Sequence, residues 1–112
     1  MKKKNIATFL VITAVVILAL FLMKNPAPKT DEETAKCIGE NSELYVRLGC
    51  THCENQKKMF GEYVSYLHPV DCFFEREKCA EVGIEATPTW IINGEKVVGT
   101  QEISKLKELT GC

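Results

Sequence analysis

The chain has 112 residues, 26% of them charged, with a formal net charge of −1. That length leaves room for one domain at most. The near-neutral balance carries no basic stripe, so no nucleic-acid partner is expected.

The N-terminal segment stands apart from the rest. Lys2, Lys3 and Lys4 form a basic cluster, and Ile6 to Met23 then runs without a charge. As a helix this run spans roughly 27 Å, close to the hydrocarbon thickness of a bilayer. A cleaved signal peptide should end in small residues, but here the run ends Leu20-Phe21-Leu22-Met23-Lys24. Residues 1–23 are therefore read as an uncleaved signal anchor, a single transmembrane helix. No cysteine follows the run closely enough for a lipoprotein. The lysines ahead of it favour a cytoplasmic N-terminus, with the remainder extracytoplasmic at the cell membrane. Residues 24–36 (KNPAPKTDEETAK) hold two prolines, mixed charge and almost no bulky apolar side chain. They read as a flexible tether that buries no core. The folded body is then 37–112, a size that buries a limited core and often carries covalent staples.

Within the body, Leu44, Val46 and Leu48 alternate with Tyr45 and Arg47, a strand pattern. A helix follows from about Cys53 to Leu67, with Met59, Phe60, Tyr63, Val64 and Leu67 on its apolar face and Gly61 as a weak point. Pro69 stops it, and Val70 to Phe73 makes a short strand. Glu75 to Val82 reads as a short helix ended by Gly83, with a solvated charged face. Thr89 to Ile92 and Glu95 to Val98 form a hairpin around Asn93-Gly94, a pair that suits two positive φ angles. A last helix covers about Glu102 to Leu109, and Gly111 ends it. The fold class is α/β, in the order β-α-β-α-β-β-α. His68 reads as a cap or surface residue, Trp90 as strand core, and Lys57 and Lys58 as a solvated face.

All six cysteines lie between Cys37 and Cys112, an even number at a density typical of oxidising compartments. The functional signal is Cys50-Thr51-His52-Cys53 at a strand-to-helix junction. This spacing puts two sulfurs on one helical turn. Cys50 falls at the helix N-terminus, where free N–H groups and the dipole favour the thiolate that attacks in disulfide exchange. Cys53, one turn in, is the natural resolving thiol. His52 can add a hydrogen bond or positive charge to the Cys50 thiolate and make the pair more oxidising. Glu54 stands where a haem-attachment motif needs His. Zinc could in principle take Cys50, Cys53, Cys72 and Cys79, but the second pair is spaced C-x6-C, where zinc ribbons repeat C-x2-C. No metal or other cofactor is expected beyond the redox-active disulfide.

Leu48-Gly49-Cys50-Thr51-His52-Cys53, followed by Gln56-Lys57-Lys58-Met59-Phe60, resembles a thioredoxin active site. Gly83-Ile84-Glu85-Ala86-Thr87-Pro88-Thr89-Trp90 resembles the cis-proline segment of that fold. Together with Val70-Asp71-Cys72 and Trp90-Ile91-Ile92-Asn93-Gly94, the set is most similar to the thioredoxin-like domain fused to, or partnered with, homologues of vitamin K epoxide reductase (VKOR). The likeness covers about Leu44 to Cys112 and implies a minimal thioredoxin fold. It also implies Cys50 as nucleophile, Cys53 as resolving thiol, a cis Pro88 beside them, and Thr87 offering backbone hydrogen bonds to a bound peptide. Cys72 and Cys79 would form a structural disulfide, as they do in the similar domains. Reoxidation would come from a quinone-reducing membrane partner of the VKOR or DsbB type. In such a fold Cys37 and Cys112 belong at the pole opposite Cys50, where a bridge would clamp the two ends of the domain; a second redox pair or an intermolecular link is the alternative. The middle dipeptide Thr51-His52 departs from the commoner Pro-His. Leu44 stands where cytosolic thioredoxins carry a buried acid, with Glu43 one residue away.

The expected function is disulfide donation to cysteine-containing extracytoplasmic proteins by a monomeric, membrane-anchored oxidoreductase. A tethered reductase or isomerase is the alternative within that class. A copper- or zinc-binding module using Cys50, Cys53 and His52 is the rival outside it.

Overall fold

The computed structural model describes residues 2–24 and 27–112. Met1 of the expected anchor, and Asn25 and Pro26 of the expected tether, lie outside the described residues. Helix α1, Lys2–Lys24, contains a stretch of 21 residues, Lys3–Met23, in which an 18-residue window has a mean hydropathy of 2.9. It is long and apolar enough to cross a membrane.

The segment read as a tether contains the start of a helix. Helix α2 spans Glu32–Glu40, capped at its N-terminus by Asp31, whose carboxylate accepts from the Thr34 amide and hydroxyl. These hydrogen bonds hold the Asp31 carboxyl below its ordinary value. Ala35 and Ile38 of α2 are fully buried, so residues 32–36 belong to the body and the order gains a helix ahead of the first strand. Polar composition hid this helix because it buries only a narrow stripe. The chain just before it is also docked: Lys29 N–H donates to the Met59 carbonyl, 2.8 Å away.

Strand β1 is Glu43–Val46, β2 Val70–Asp71, β3 Thr89–Ile92 and β4 Glu95–Val98. They form one sheet in the order β2-β1-β3-β4. β1 runs parallel to β2 and antiparallel to β3, and β3–β4 is the expected hairpin. Asn93 and Gly94 both hold positive φ, at 53° and 79°. The architecture is a minimal thioredoxin-like α/β fold.

β1 is central and covered on both faces, so its burial differs from the alternation read in the sequence. Leu44 and Val46 join Trp90, Ile92, Phe60 and Leu106 in the main core. Tyr45, expected to face solvent, packs instead with Cys72 and Cys79 on the second face. Its hydroxyl donates to Glu43, and burial first, then that hydrogen bond, pushes its pKa up to about 12. Leu48 lies beyond the strand end and is 61% exposed.

The helix expected over Cys53 to Leu67 is two helices. Helix α3 is Thr51–Lys58, and a 3-10 helix follows over Gly61–Leu67. Gly61 sits at φ 56°, where a side chain would be strained, and a Cβ there would meet Pro28 at 3.1 Å. Helix α4 is Arg76–Glu81 and α5 Ile103–Thr110, with Gly111 in the left-handed cap conformation.

Three disulfides staple this body: Cys37–Cys112, Cys50–Cys53 and Cys72–Cys79. Cys37–Cys112 joins α2 to the end of the chain across a separation of 75 residues. Loop closure of that length contributes up to about 4 kcal/mol. The Asn41 side-chain amide donates to the Cys37 carbonyl beside it. Cys72–Cys79 ties the end of β2 to α4.

Helix α2 approaches the 3-10 helix so closely that Gly39 has no room for a side chain. A Cβ there would press on the Tyr66 carbonyl, whose carbon lies 2.8 Å away. Gly39→Ala is expected to cost about 1–3 kcal/mol. Urea denaturation of the detergent-solubilised protein measures it, and an unchanged midpoint would mean that α2 is not locked against that backbone.

Candidate active site

The site is built where β1 hands over to α3. Past Val46 the chain turns through Arg47 to Cys50, and the Cys50 N–H donates to the Arg47 carbonyl at 3.2 Å. Gly49 takes φ 81° in that turn. Cys50 is the N-cap of α3, and its sulfur fills the role that a Ser or Asp oxygen usually plays. The Cys53 backbone N–H points at Cys50 Sγ from 3.1 Å. A sulfur so placed meets both an unsatisfied amide and the positive end of the helix dipole. Cys53 is completely buried in the main core, whereas Cys50 is partly exposed. The two sulfurs are therefore unequal: one is reachable, and the other is shielded behind it.

Thr87 and Pro88 lie across from the pair. The Thr87–Pro88 bond is cis, Pro88 is buried, and the Thr87 carbonyl oxygen is 3.6 Å from Cys50 Sγ. Thr51 and His52 occupy the first turn of α3 and are exposed. Among the described residues the His52 imidazole makes no hydrogen bond to either sulfur; its backbone carbonyl accepts from the Thr100 hydroxyl at 3.1 Å. Cys72, Cys79, Cys37 and Cys112 stand apart from this cluster in their own disulfides. Among the described residues no three His, Cys, Asp or Glu side chains converge in a metal-like group.

One positioning residue escaped the sequence reading. Gln56 was read only as part of the motif, yet its carboxamide is fully buried and fully used. Its Oε1 accepts from the Trp90 indole N–H at 3.0 Å and from the Gln101 N–H at 2.6 Å. Its Nε2 donates to the Gln101 carbonyl at 3.0 Å. Segment 99–101 in turn holds the other wall, because the Gly99 N–H donates to the Pro88 carbonyl at 2.8 Å. One side chain thus couples the helix that carries both cysteines to the strand and loop behind Pro88. The available signal was a polar residue on the buried stripe Cys53, Gln56, Phe60, at spacings of three and four.

Over 79 residues, 62% of this chain, the sequence is 39% identical to Thiol-disulfide oxidoreductase LTO1 of Arabidopsis thaliana. The chain spans about a fifth of that relative, 21% of its length. Among solved structures, the N-terminal NTD_N/C domain of the alkylhydroperoxide reductase AhpF from Enterococcus faecalis aligns with a TM-score of 0.44 and 18% identity, covering 75% of this chain and 45% of that one. No family model matches the sequence.

Two outcomes follow from the site. In the reduced protein Cys50, seated on the Cys53 amide at the helix N-terminus, should be alkylated by iodoacetamide faster than an ordinary exposed thiol at mildly acidic pH, while Cys53 stays unreactive. Peptide mapping after pulse alkylation across pH checks it, and equal labelling of both would contradict the inequality of the two sulfurs. Separately, Gln56→Ala should cost about 1–3 kcal/mol for each donor left unpartnered. It should also shift the Trp90 fluorescence; an unchanged spectrum and stability would remove Gln56 from its positioning role.

Proposed function

We propose that this chain is an extracytoplasmic thiol–disulfide oxidoreductase that donates disulfides to secreted or membrane proteins from its Cys50–Cys53 pair. The observation that carries the reading is the seat of Cys50 Sγ on the Cys53 N–H at the start of α3, with Cys53 buried behind it. The name of the plant relative supports the same chemistry.

The exchange follows from that asymmetry. A substrate thiolate attacks Cys50 Sγ, the reachable sulfur; a new substrate–Cys50 bond forms and the Cys50–Cys53 bond breaks. Cys53 leaves with the electron pair and takes up a proton. A second substrate thiolate then attacks the substrate sulfur of the mixed disulfide. Cys50 departs as a thiolate, a good leaving group because the amide and the helix dipole stabilise it. Two electrons pass from the substrate dithiol to the protein. A VKOR- or DsbB-like membrane partner removes them and passes them to quinone.

The oxidising direction draws support from the core. Leu44 is 1% exposed where a reductase of the thioredoxin type carries its acid. Glu43, the neighbour, lies on the exposed side and accepts from the Tyr45 hydroxyl. Gln56 and Thr89 are the buried polar residues among those described, and neither is an acid. Cys53 therefore has no buried carboxylate to take its proton when a mixed disulfide must be resolved. The length and apolar character of α1 support a membrane anchor, and the lysines at its start favour a cytoplasmic N-terminus with the body outside.

The test is the reduction potential of the Cys50–Cys53 pair, with the full chain in detergent equilibrated against glutathione buffers. A disulfide donor should fall at roughly −120 to −180 mV. A value near roughly −270 mV would make the protein a tethered reductase instead. A pair that binds stoichiometric zinc or copper on reduction, and does not cycle, would replace the enzyme with a metal-binding module.

A further inference from the structure

The chain has two arginines, Arg47 and Arg76, and both line the same cleft. They come from different elements: Arg47 from the turn that carries Cys50, and Arg76 from the start of α4. The cleft measures about 310 Å³, and the Cys72–Cys79 disulfide forms part of its lining. Thr87 lines it too, and the carbonyl of that residue lies 3.6 Å from Cys50 Sγ. Reactive sulfur and cleft therefore share a wall.

Neither guanidinium is spoken for. Among the described residues the ion pairs are Lys36–Glu32 and Lys57–Glu54, both elsewhere. The Arg76 guanidinium lies 5.9 Å over the ring of Phe73, a residue outside the cleft lining, so the contact leaves its donors free to turn towards the cleft. Glu85 also lines the cleft and is exposed, without an ion pair to either arginine. Its charge tempers the cationic field, so the cleft suits a single carboxylate better than a polyanion. In a chain with more acids than bases, 15 against 14, two arginines without an ion pair among the described residues, in a cleft that shares Thr87 with the reactive sulfur, are a local exception.

We propose that this cleft is a specificity subsite that takes an acidic side chain of the substrate polypeptide, next to the cysteine presented to Cys50. The inference rests on the oxidoreductase reading above and adds the substrate's chemistry to it. An extended peptide advances about 3.3 Å per residue. A strand lying along Thr87 with its cysteine at Cys50 would thus bring a carboxylate one to three residues away into reach of Arg47 and Arg76. Guanidinium and carboxylate match in shape and charge, so the contact fixes register as well as adding affinity.

The experiment uses the oxidised full chain in detergent and three reduced peptides that differ at the positions flanking one cysteine pair, carrying Glu, Gln or Lys. Rates of peptide oxidation are measured at low and high salt. The same three peptides with Ser for Cys are measured for binding by fluorescence anisotropy. The Glu peptide should be oxidised, and its Ser form bound, about tenfold better than the Lys counterpart at low salt, with the gap closing as salt rises. In Arg47→Gln/Arg76→Gln the Glu-to-Lys ratio should fall to about one, and in Arg47→Glu/Arg76→Glu it should invert. Equal binding of the three Ser peptides by the unsubstituted protein, or a ratio unmoved in both variants, overturns the subsite. Failure of the oxidoreductase reading looks different: none of the cysteine peptides would be oxidised, whatever their charge and however the Ser forms bind.

Discussion

The buried carboxamide of Gln56 is the constraint on which the site depends. A redox pair works only if the helix that carries it sits in fixed register against the opposing loop. In this protein that register is set by one amide, which accepts from Trp90 and Gln101 and donates back to Gln101. A buried amide is costly unless its hydrogen bonds are made, so this contact is close to all-or-none. The alternative arrangements of α3 over β3 would each leave a polar group stranded in an apolar core. Segment 99–101 extends the same constraint, since Gly99 bonds the Pro88 carbonyl and Thr100 bonds the His52 carbonyl. Both walls of the site hang from one short stretch of chain.

A body this small cannot hold such a site by hydrophobic burial alone. It compensates in two ways. Two disulfides away from the reactive pair close loops at the ends of the domain, one joining α2 to Cys112 and one joining β2 to α4. A short polar helix, α2, adds Ala35 and Ile38 to the main core and packs against the 3-10 helix and α5. Its close approach to the 3-10 helix depends on the missing side chain of Gly39. The same economy places Tyr45 on the second face, where it packs against a disulfide rather than against a large apolar layer.

The chemistry then follows from unequal environments for two identical groups. Cys50 has an amide, a helix end and partial access to solvent; Cys53 has apolar burial, and no acid is buried with it among the described residues. Thiolate stability differs sharply between two such places. His52, which the motif singles out, sits exposed on the first turn without a hydrogen bond to either sulfur, so the Cys53 amide supplies the direct contact to Cys50.

The C-x-x-C spacing, the 18 uncharged residues of Ile6 to Met23 and the Asn93-Gly94 turn were legible because each is a short-range property of the backbone. Steric preferences and helical periodicity act over a few residues, and they needed no partner to be read. The strands, the last helix and the position of the cysteine pair came from the same local rules. Other features were settled between residues far apart in the chain. Tyr45 is buried because β1 has neighbours on both sides and layers on both faces, which its own alternation cannot reveal. The helix after Cys53 stops at Lys58 and resumes as a 3-10 helix at Gly61, whose positive φ and close approach to Pro28, more than thirty positions earlier, leave no place for a side chain. Gln56 looks like any surface glutamine until Trp90 and Gln101 arrive to use it. The pairing of the six cysteines is likewise a matter of which side chains the fold brings together, and spacing alone leaves many pairings open. Local sterics determined the elements and the reactive motif; long-range packing and the need to satisfy every buried polar group decided how the motif is held.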